Sequence, residues 1–155
     1  MSPDRISAPL VREAPLLRQE DRVGNAVRAI LDSGLPALPV VDADGELAGI
    51  FGEREFMAAL FPGYVGELRF AGFVSKGLDD ALEKRAACAG EPVRKYMNTE
   101  HIAVPEGGSD VGVAETFLHH RVLIVPVCEG REVKGVITRS DFFAKLARHF
   151  LGQLE

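Results

Sequence analysis

Four consecutive residues at the end of an apolar strand offer the clearest chemistry in this chain. Thr138, Arg139, Ser140 and Asp141 close the run Gly135-Val136-Ile137-Thr138-Arg139-Ser140-Asp141, just where a strand pattern turns into a helical one. The Thr138 hydroxyl can accept from the amide of Asp141 three residues on, the capping-box arrangement with aspartate in place of glutamate. The same geometry leaves N–H groups and the positive end of a helix free, which suits an anionic phosphate. Two readings stand for this pair: a helix start alone, or a helix start that also holds a ligand. Arg139, in the first turn, is either a partner for phosphate oxygens or an exposed surface arginine.

An internal repeat must position these residues. Leu38-Pro39-Val40-Val41 runs through a turn into Gly49-Ile50-Phe51 and then Glu55-Phe56, and Val125-Pro126-Val127-Cys128 runs through a turn into Gly135-Val136-Ile137 and then Asp141-Phe142. Ile6 and Val93, Leu17 and Val104, Leu31 and Leu118, and Pro39 and Pro126 are all 87 apart; Gly49 and Gly135, and Phe56 and Phe142, are 86 apart. The lost residue falls in the turn, Asp42-Ala43-Asp44-Gly45-Glu46 against Glu129-Gly130-Arg131, where length changes are tolerated. Such a repeat implies two copies of one supersecondary unit and a cleft where they meet.

Each copy opens on a short extended segment, Pro15–Leu17 or Ile102–Val104. Val23, Ala26, Val27, Ile30 and Leu31 share one helical face, with Asp21 as N-cap and Gly34 as stop; Val113, Phe117 and Leu118 repeat the stripe after Ser109 or Asp110. Strands over 38–41 and 122–128 form hairpins with strands over 47–51 and 133–138. Helices follow over 53–61 and from 139 to about 151. The unit therefore reads β-α-β-β-α, an α/β (α+β) fold. Repeat 1 spans 6–61, a linker with one helix (about Leu78 to Cys88) spans 62–92, and repeat 2 spans 93–151. The lead-in 93–97 mirrors 6–10, and the apolar linker stretch 63–73 is expected to pack on the module or on a partner.

This repeat, with its Pro-Val strand and its Gly-hydrophobic-hydrophobic-Thr-x-Ser-Asp strand end, resembles the cystathionine β-synthase (CBS) domain family over about residues 6–60 and 93–150. The resemblance implies a tandem pair related by a pseudo-two-fold axis, further pairing into a homodimer, and an adenosyl ligand in the cleft. AMP, ADP, ATP, S-adenosylmethionine and NAD-type ligands all stay open. The resemblance assigns Asp141 to the ribose hydroxyls and Thr138 to the ribose or phosphate region, with Arg139 and Ser140 in the same motif. Ile102, and Val122, Leu123 and Ile124 ahead of Pro126, would form an adenine slot, against the alternative that they are core; Thr99 and His101 stand at its mouth. Copy one departs from the motif, with Gly52 for threonine and Glu55 for aspartate. Glycine is an acceptable N-cap but offers no hydroxyl. Glu55 is left to hold a ribose or to pair with Arg54 or another base. The expectation is a stronger site at the Asp141 end and a weak or empty one at Glu55.

Composition bounds the rest. At 155 residues the chain suits one compact domain or two small halves sharing a core. A net charge of −5 argues against general nucleic-acid binding and, with few obvious phosphate-binding basic residues, points to fewer phosphates on the ligand. No apolar run approaches the roughly 20 residues of a membrane helix, and Met1-Ser2-Pro3-Asp4-Arg5 lacks the apolar stretch of a secretion signal. Cys88 and Cys128 have no metal spacing and read as buried hydrophobes in a reducing, cytoplasmic setting. His119 and His120 are adjacent, so they do not share a helix face for a metal. No local catalytic set or obligatory cofactor is indicated. The leading expectation is a non-enzymatic sensor signalling to a separate effector protein; the alternative is a protein-interaction or oligomerisation module without a physiological ligand. The last helix carries a wide apolar face, Phe142, Phe143, Leu146, Ala147, Phe150 and Leu151, which points to a homodimer.

Overall fold

Two hairpins of apolar, β-branched residues carry the fold, each followed at once by a helix. The computed structural model describes residues 7–61, 78–80, 82–100 and 102–154. Repeat 1 comprises β1 (Leu17–Arg18), α1 (Val23–Ser33), β2 (Ala37–Val41), β3 (Leu47–Gly52) and α2 (Glu53–Leu60); repeat 2 comprises β4 (Val104–Pro105), α3 (Asp110–His119), β5 (Ile124–Glu129), β6 (Glu132–Thr138) and α4 (Arg139–Gly152). Each forms a three-stranded sheet with its longest-buried strand in the middle, β1-β2-β3 and β4-β5-β6. The outer short strand is parallel to the centre and the hairpin partner antiparallel. Even the irregularities repeat, with register shifts at Val40/Val41 and at Val127/Cys128. The β-α-β-β-α reading and the mixed α/β class therefore hold.

Local chemistry sets the helix ends. Gly34 ends α1 at φ 73°, a left-handed conformation that glycine takes without penalty. Ser109 caps α3, its hydroxyl accepting from the Gly112 amide at 3.0 Å. Asp21 does not cap α1: its carboxylate accepts from the Arg18 amide, closing the turn before the helix, and the N-cap residue is Arg22. Val23, Ala26 and Ile30 are buried as the stripe predicts, but the equivalent residues Leu31 and Leu118 are 75% and 81% exposed. Both lie at the outer edge of a stripe wider than one sheet face covers. Phe142 likewise leaves the predicted open face of α4 and packs on Phe117 in the core, ring centroids 5.8 Å apart, whereas Phe143, Leu146, Phe150 and Leu151 remain exposed.

The repeats exchange their lead-in segments. Residues 7–12, ahead of repeat 1, lie on repeat 2: Arg12 and Val136 exchange two backbone hydrogen bonds of 2.8 Å, and the Ser7 amide and hydroxyl both donate to Asp110. Residues 93–98, ahead of repeat 2, lie on repeat 1: Asn98 and Ile50 exchange bonds of 2.8 and 2.9 Å, and the Val93 amide donates to the Asp21 carbonyl. The hairpin turns also meet, through a Glu46–Glu132 bridge. One core cluster accordingly joins Leu38, Val40 and Phe51 to Val93, Ile124 and Val136. Cys88 and Cys128 are buried and unbonded to each other, and burial pushes the Cys128 thiol up.

Candidate functional site

The exchange decides which residues can face one another. At the end of β6, Thr138 is buried and its hydroxyl accepts from the Asp141 amide at 3.0 Å, so the predicted cap is present. The Asp141 carboxylate does not turn back to complete the box. It accepts a two-pronged hydrogen bond from the Arg12 guanidinium, at 2.7 Å from Nε and 2.9 Å from Nη2. Arg12 is brought there by its bridge to Val136. Arg139 and Ser140 are exposed in the first turn of α4, and the Arg139 amide donates to the Leu123 carbonyl at 3.0 Å.

The corresponding end of repeat 1 is built on a close approach. A Cβ at Gly52 would lie 2.3 Å from the Ala37 Cβ and 2.5 Å from the Pro36 carbonyl oxygen, so threonine is excluded there by space. The Glu55 carboxylate accepts from the Gly52 amide at 2.9 Å, the half of the capping box that a glycine N-cap leaves available. Burial holds the Glu55 carboxyl above its ordinary range, against the opposing pull of the Glu55 and Gly52 amides and the Arg54 charge.

A cavity of about 820 Å³ opens at this end. It is lined by Arg54 and Glu55 of repeat 1 together with Asn98, Glu100, Ile102, His119, His120 and Arg121. His120 Nδ1 lies 3.1 Å from the Glu100 carboxylate, and the Glu100 amide donates to the Asn98 side-chain oxygen at 3.0 Å. Its size suits a small-molecule ligand.

Sequence reasoning grouped Ile102, Val122, Leu123 and Ile124 with Asp141. Ile102 is buried in the repeat 2 core with Val122, Ile137 and Phe142, and it also lines the cavity that Glu55 lines. Val122 and Ile124 are core residues, Pro126 is buried with them, and Leu123 is half-buried. Thr99 is exposed beside the cavity residues Asn98 and Glu100; His101 and the apolar stretch 63–73 lie outside the described residues. Arg12, Asn98, Glu100 and Arg121 were missed. Arg12 and Asn98 are separated by the same 86 residues as the strand positions they bridge, Ile50 and Val136, but that offset does not say that the partners are exchanged. In the β2–β3 turn, Asp42, Asp44 and Glu46 place carboxylate oxygens within 4.8 Å of one another. Asp42 is engaged by the amides of Asp44 and Glu46, and Glu46 faces Arg131, so this group serves the turn.

The CBS domain family pattern matches residues 10–62 and 93–148, the two repeats just described. The chain belongs to the CBS domain family. Among solved structures, the CBS domain of a CBS domain-containing membrane protein from Sphaerobacter thermophilus superposes with a TM-score of 0.68 at 20% identity, covering 90% of this chain and 86% of that one. CBSX2, solved in complex with AMP, superposes at 0.65 with 16% identity, covering 94% of this chain and 97% of its own. An uncharacterised Methanocaldococcus jannaschii protein is 24% identical over 147 residues, 95% of this chain. The chain spans a third of that relative's length, 33%. No helix among the described residues of this CBS pair is long and apolar enough to cross a membrane.

Proposed function

We propose that this CBS pair is a non-catalytic regulatory module that binds an adenosine-containing ligand between its repeats and passes occupancy to a separate protein. The carrying observation is the cavity of about 820 Å³ in which Arg54 and Glu55 of one repeat face Ile102 and His119–Arg121 of the other. The AMP-bound CBSX2, a neighbour in fold, supports an adenine ligand. In this reading Glu55 accepts from the ribose hydroxyls, Ile102 gives an apolar wall for the base, and Thr99 borders the opening. Thr138 and Asp141 form a second site that a ligand enters by displacing Arg12. A ligand contacting both repeats can bias their arrangement only through the difference in its affinity for two arrangements.

A thermal-shift series with adenosine, AMP, ADP, ATP, S-adenosylmethionine and NADH, with GTP as control, tests this. A ligand at 100 times its Kd stabilises by about 2.7 kcal/mol, or roughly 5–10 °C. A shift lost in Glu55→Ala and kept in Asp141→Ala places the ligand in this cavity; the reverse places it at Asp141. No shift with any adenine compound overturns the reading. The second reading, an interaction module, draws on one observation: Phe143, Leu146, Phe150, Leu151 and Leu154 are exposed along α4 and the turn after it. We place a two-fold contact with a second copy on that face, in a cytoplasmic protein, and a monomeric mass by light scattering at micromolar concentration would overturn it.

A further inference from the structure

One side chain at the end of the linker grips two separate elements of the body. The Arg85 guanidinium donates from Nε to the Ala59 carbonyl at 3.0 Å and from Nη2 to the Tyr96 hydroxyl at 3.2 Å. Ala59 is buried in the last turn of α2, and its carbonyl is one of the four that a helix end leaves without an internal partner. A cation also suits that end of the helix. The Tyr96 hydroxyl in turn donates to Glu91 at 2.5 Å, Glu91 also pairs with Lys95, and the Lys95 ammonium stands 5.7 Å from the centre of the Tyr96 ring. From here the chain is stitched to repeat 1. Cys88 is buried in the short helix Ala86–Gly90, the Val23 amide donates to the Glu91 carbonyl at 2.9 Å, and Val93 and Asn98 bond to Asp21 and Ile50. Arg85, which directly precedes that short helix, is where the linker joins the seam.

We infer that Arg85 is a positioning residue, a cross-tie that sets how α2 and the second lead-in sit relative to each other and so holds the cavity from outside it. Arg54 and Glu55 on α2, and Asn98 and Glu100 at the end of the lead-in, line the cavity; Arg85 is not among its described lining residues. Ala59 lies one helical turn, about 6 Å, beyond Glu55 along α2, and Tyr96 lies two residues before Asn98. The planar fork matters here, because Nε and Nη2 leave one rigid plane toward acceptors on two different elements, a geometry that a flexible ammonium does not fix. The tie has no counterpart at the other lead-in: the position equivalent to Tyr96, 87 residues earlier (96 and 9), is Pro9, which offers no hydroxyl. It therefore serves the Glu55 end alone. By linkage, a protein that takes hold of the linker at Arg85 changes affinity in the cavity, and a ligand in the cavity changes the affinity of the linker for that protein by the same factor. The tie itself does not depend on which ligand the cavity takes; only its effect on AMP, below, rests on the adenosyl reading.

Amide hydrogen exchange read by NMR on the whole chain, without ligand, tests the tie in Arg85→Gln, Arg85→Lys and Tyr96→Phe. The Ile50 and Asn98 amides hold the second lead-in, and in Arg85→Gln they should exchange about tenfold faster, the loss of one charge-assisted bond. The Arg12 and Val136 amides, the matching pair at the other lead-in, should keep the rates of the parent protein. The His120 ring signal should shift as well, because its partner Glu100 follows the lead-in, while that of His149 on α4 should stay. Tyr96→Phe should speed Ile50 and Asn98 and leave the Phe61 amide, at the end of α2, unchanged. Arg85→Lys should resemble Arg85→Gln at Ile50 and Asn98. Parent rates at those two amides in Arg85→Gln overturn the inference. An equal rise at Arg12 and Val136 also overturns it, since Arg85 then serves general stability, and so does full rescue by lysine, since charge alone then suffices. Titration with AMP separates this inference from the adenosyl reading. Binding about fivefold weaker in Arg85→Gln than in the parent protein supports the tie, and equal binding overturns it. A parent protein that does not bind AMP counts against the adenosyl reading, and the exchange rates then decide the tie by themselves.

Discussion

Adding one methyl group at Gly49 or Gly135 should loosen the joint between the repeats. At Gly49 the new Cβ would lie 2.7 Å from the Asn98 carbonyl oxygen and 3.0 Å from the Met97 sulfur; at Gly135 it would lie 2.6 Å from the Arg12 carbonyl oxygen and 2.7 Å from Val11 Cγ1. In each case the obstructing atom is the backbone of the other repeat's lead-in, held one residue further along by two hydrogen bonds of 2.8–2.9 Å. Moving that oxygen from 2.7 Å to the 3.4 Å of ordinary contact displaces the bridge by about 0.7 Å. Overpacking of this kind costs about 1–3 kcal/mol. Stretching two backbone hydrogen bonds adds to the cost, and the gain of alanine over glycine in a strand, about 0.5–1 kcal/mol, offsets part of it. The net expectation is about 1–3 kcal/mol per site. For a chain of this size that lowers Tm by about 2–12 °C.

The assay is a thermal or urea melt of Gly49→Ala, Gly135→Ala and the double variant, with Gly152→Ala as control, since nothing lies within 4 Å of a Cβ there. The two sites touch different lead-ins, so their costs should add. Gly49→Ala should also weaken ligand binding, because the segment it displaces carries Asn98, Glu100 and Ile102 to the cavity. Melting of both single variants with the parent protein would refute the exchanged lead-ins as the reason for the repeated glycine.

Three further outcomes follow from the site chemistry. Glu55→Gln keeps an oxygen for the Gly52 amide and removes a carboxylate whose pKa burial raises; since that raised group contributes stability at low pH and loses it as pH rises through its folded value, the variant should match or exceed the parent at neutral pH, with the gap closing toward about pH 4, and a gap that widens in acid would contradict this. Thr138→Val keeps the buried volume but loses the cap on the Asp141 amide, so it should cost about 1 kcal/mol, read as a Tm lower by about 2–4 °C. Arg12→Ala removes a partly exposed ion pair, 53% and 25% exposed on its two sides, and should cost under about 1 kcal/mol; a double-mutant cycle with Asp141→Ala should show a coupling that shrinks in high salt.

Much of this fold can be read from local pattern. The hairpins are short-range, their strands are apolar, and the turns carry Gly45 and Gly130 at positive φ, so strand positions and the single-residue slip are all visible in the chain. The Thr138 cap and the Gly34 stop are equally local. What escapes is long-range and made of few residues. Residues 7–12 and 93–98 have no periodicity, and each is joined to its sheet by one bridge. Nothing in their composition says which sheet receives them. Exchanging the lead-ins brings Arg12 to Asp141 and Asn98 to the cavity beside Glu55. Burial adds a second limit, because Ile124 and Pro126 sit in strands that look the same whether the neighbouring space holds a ligand or a side chain.

The difference between the two ends of the cleft lies in the lead-ins more than in the strand-end motif. Both motifs start a helix and place a carboxylate in its first turn, Glu55 on α2 and Asp141 on α4. At the α4 end the bridging residue is Arg12, long and cationic, and it reaches the carboxylate with two hydrogen bonds. At the α2 end the bridging residue is Asn98, short and neutral, and its side chain turns back to the Glu100 amide. Glu55 then accepts from the Gly52 amide and feels the Arg54 charge, and a cavity lies open beside it. A full motif is therefore no guide to an open site. One side chain contributed by the opposite repeat decides whether the carboxylate is already engaged, and among the described residues the cavity of about 820 Å³ lies at the less complete motif.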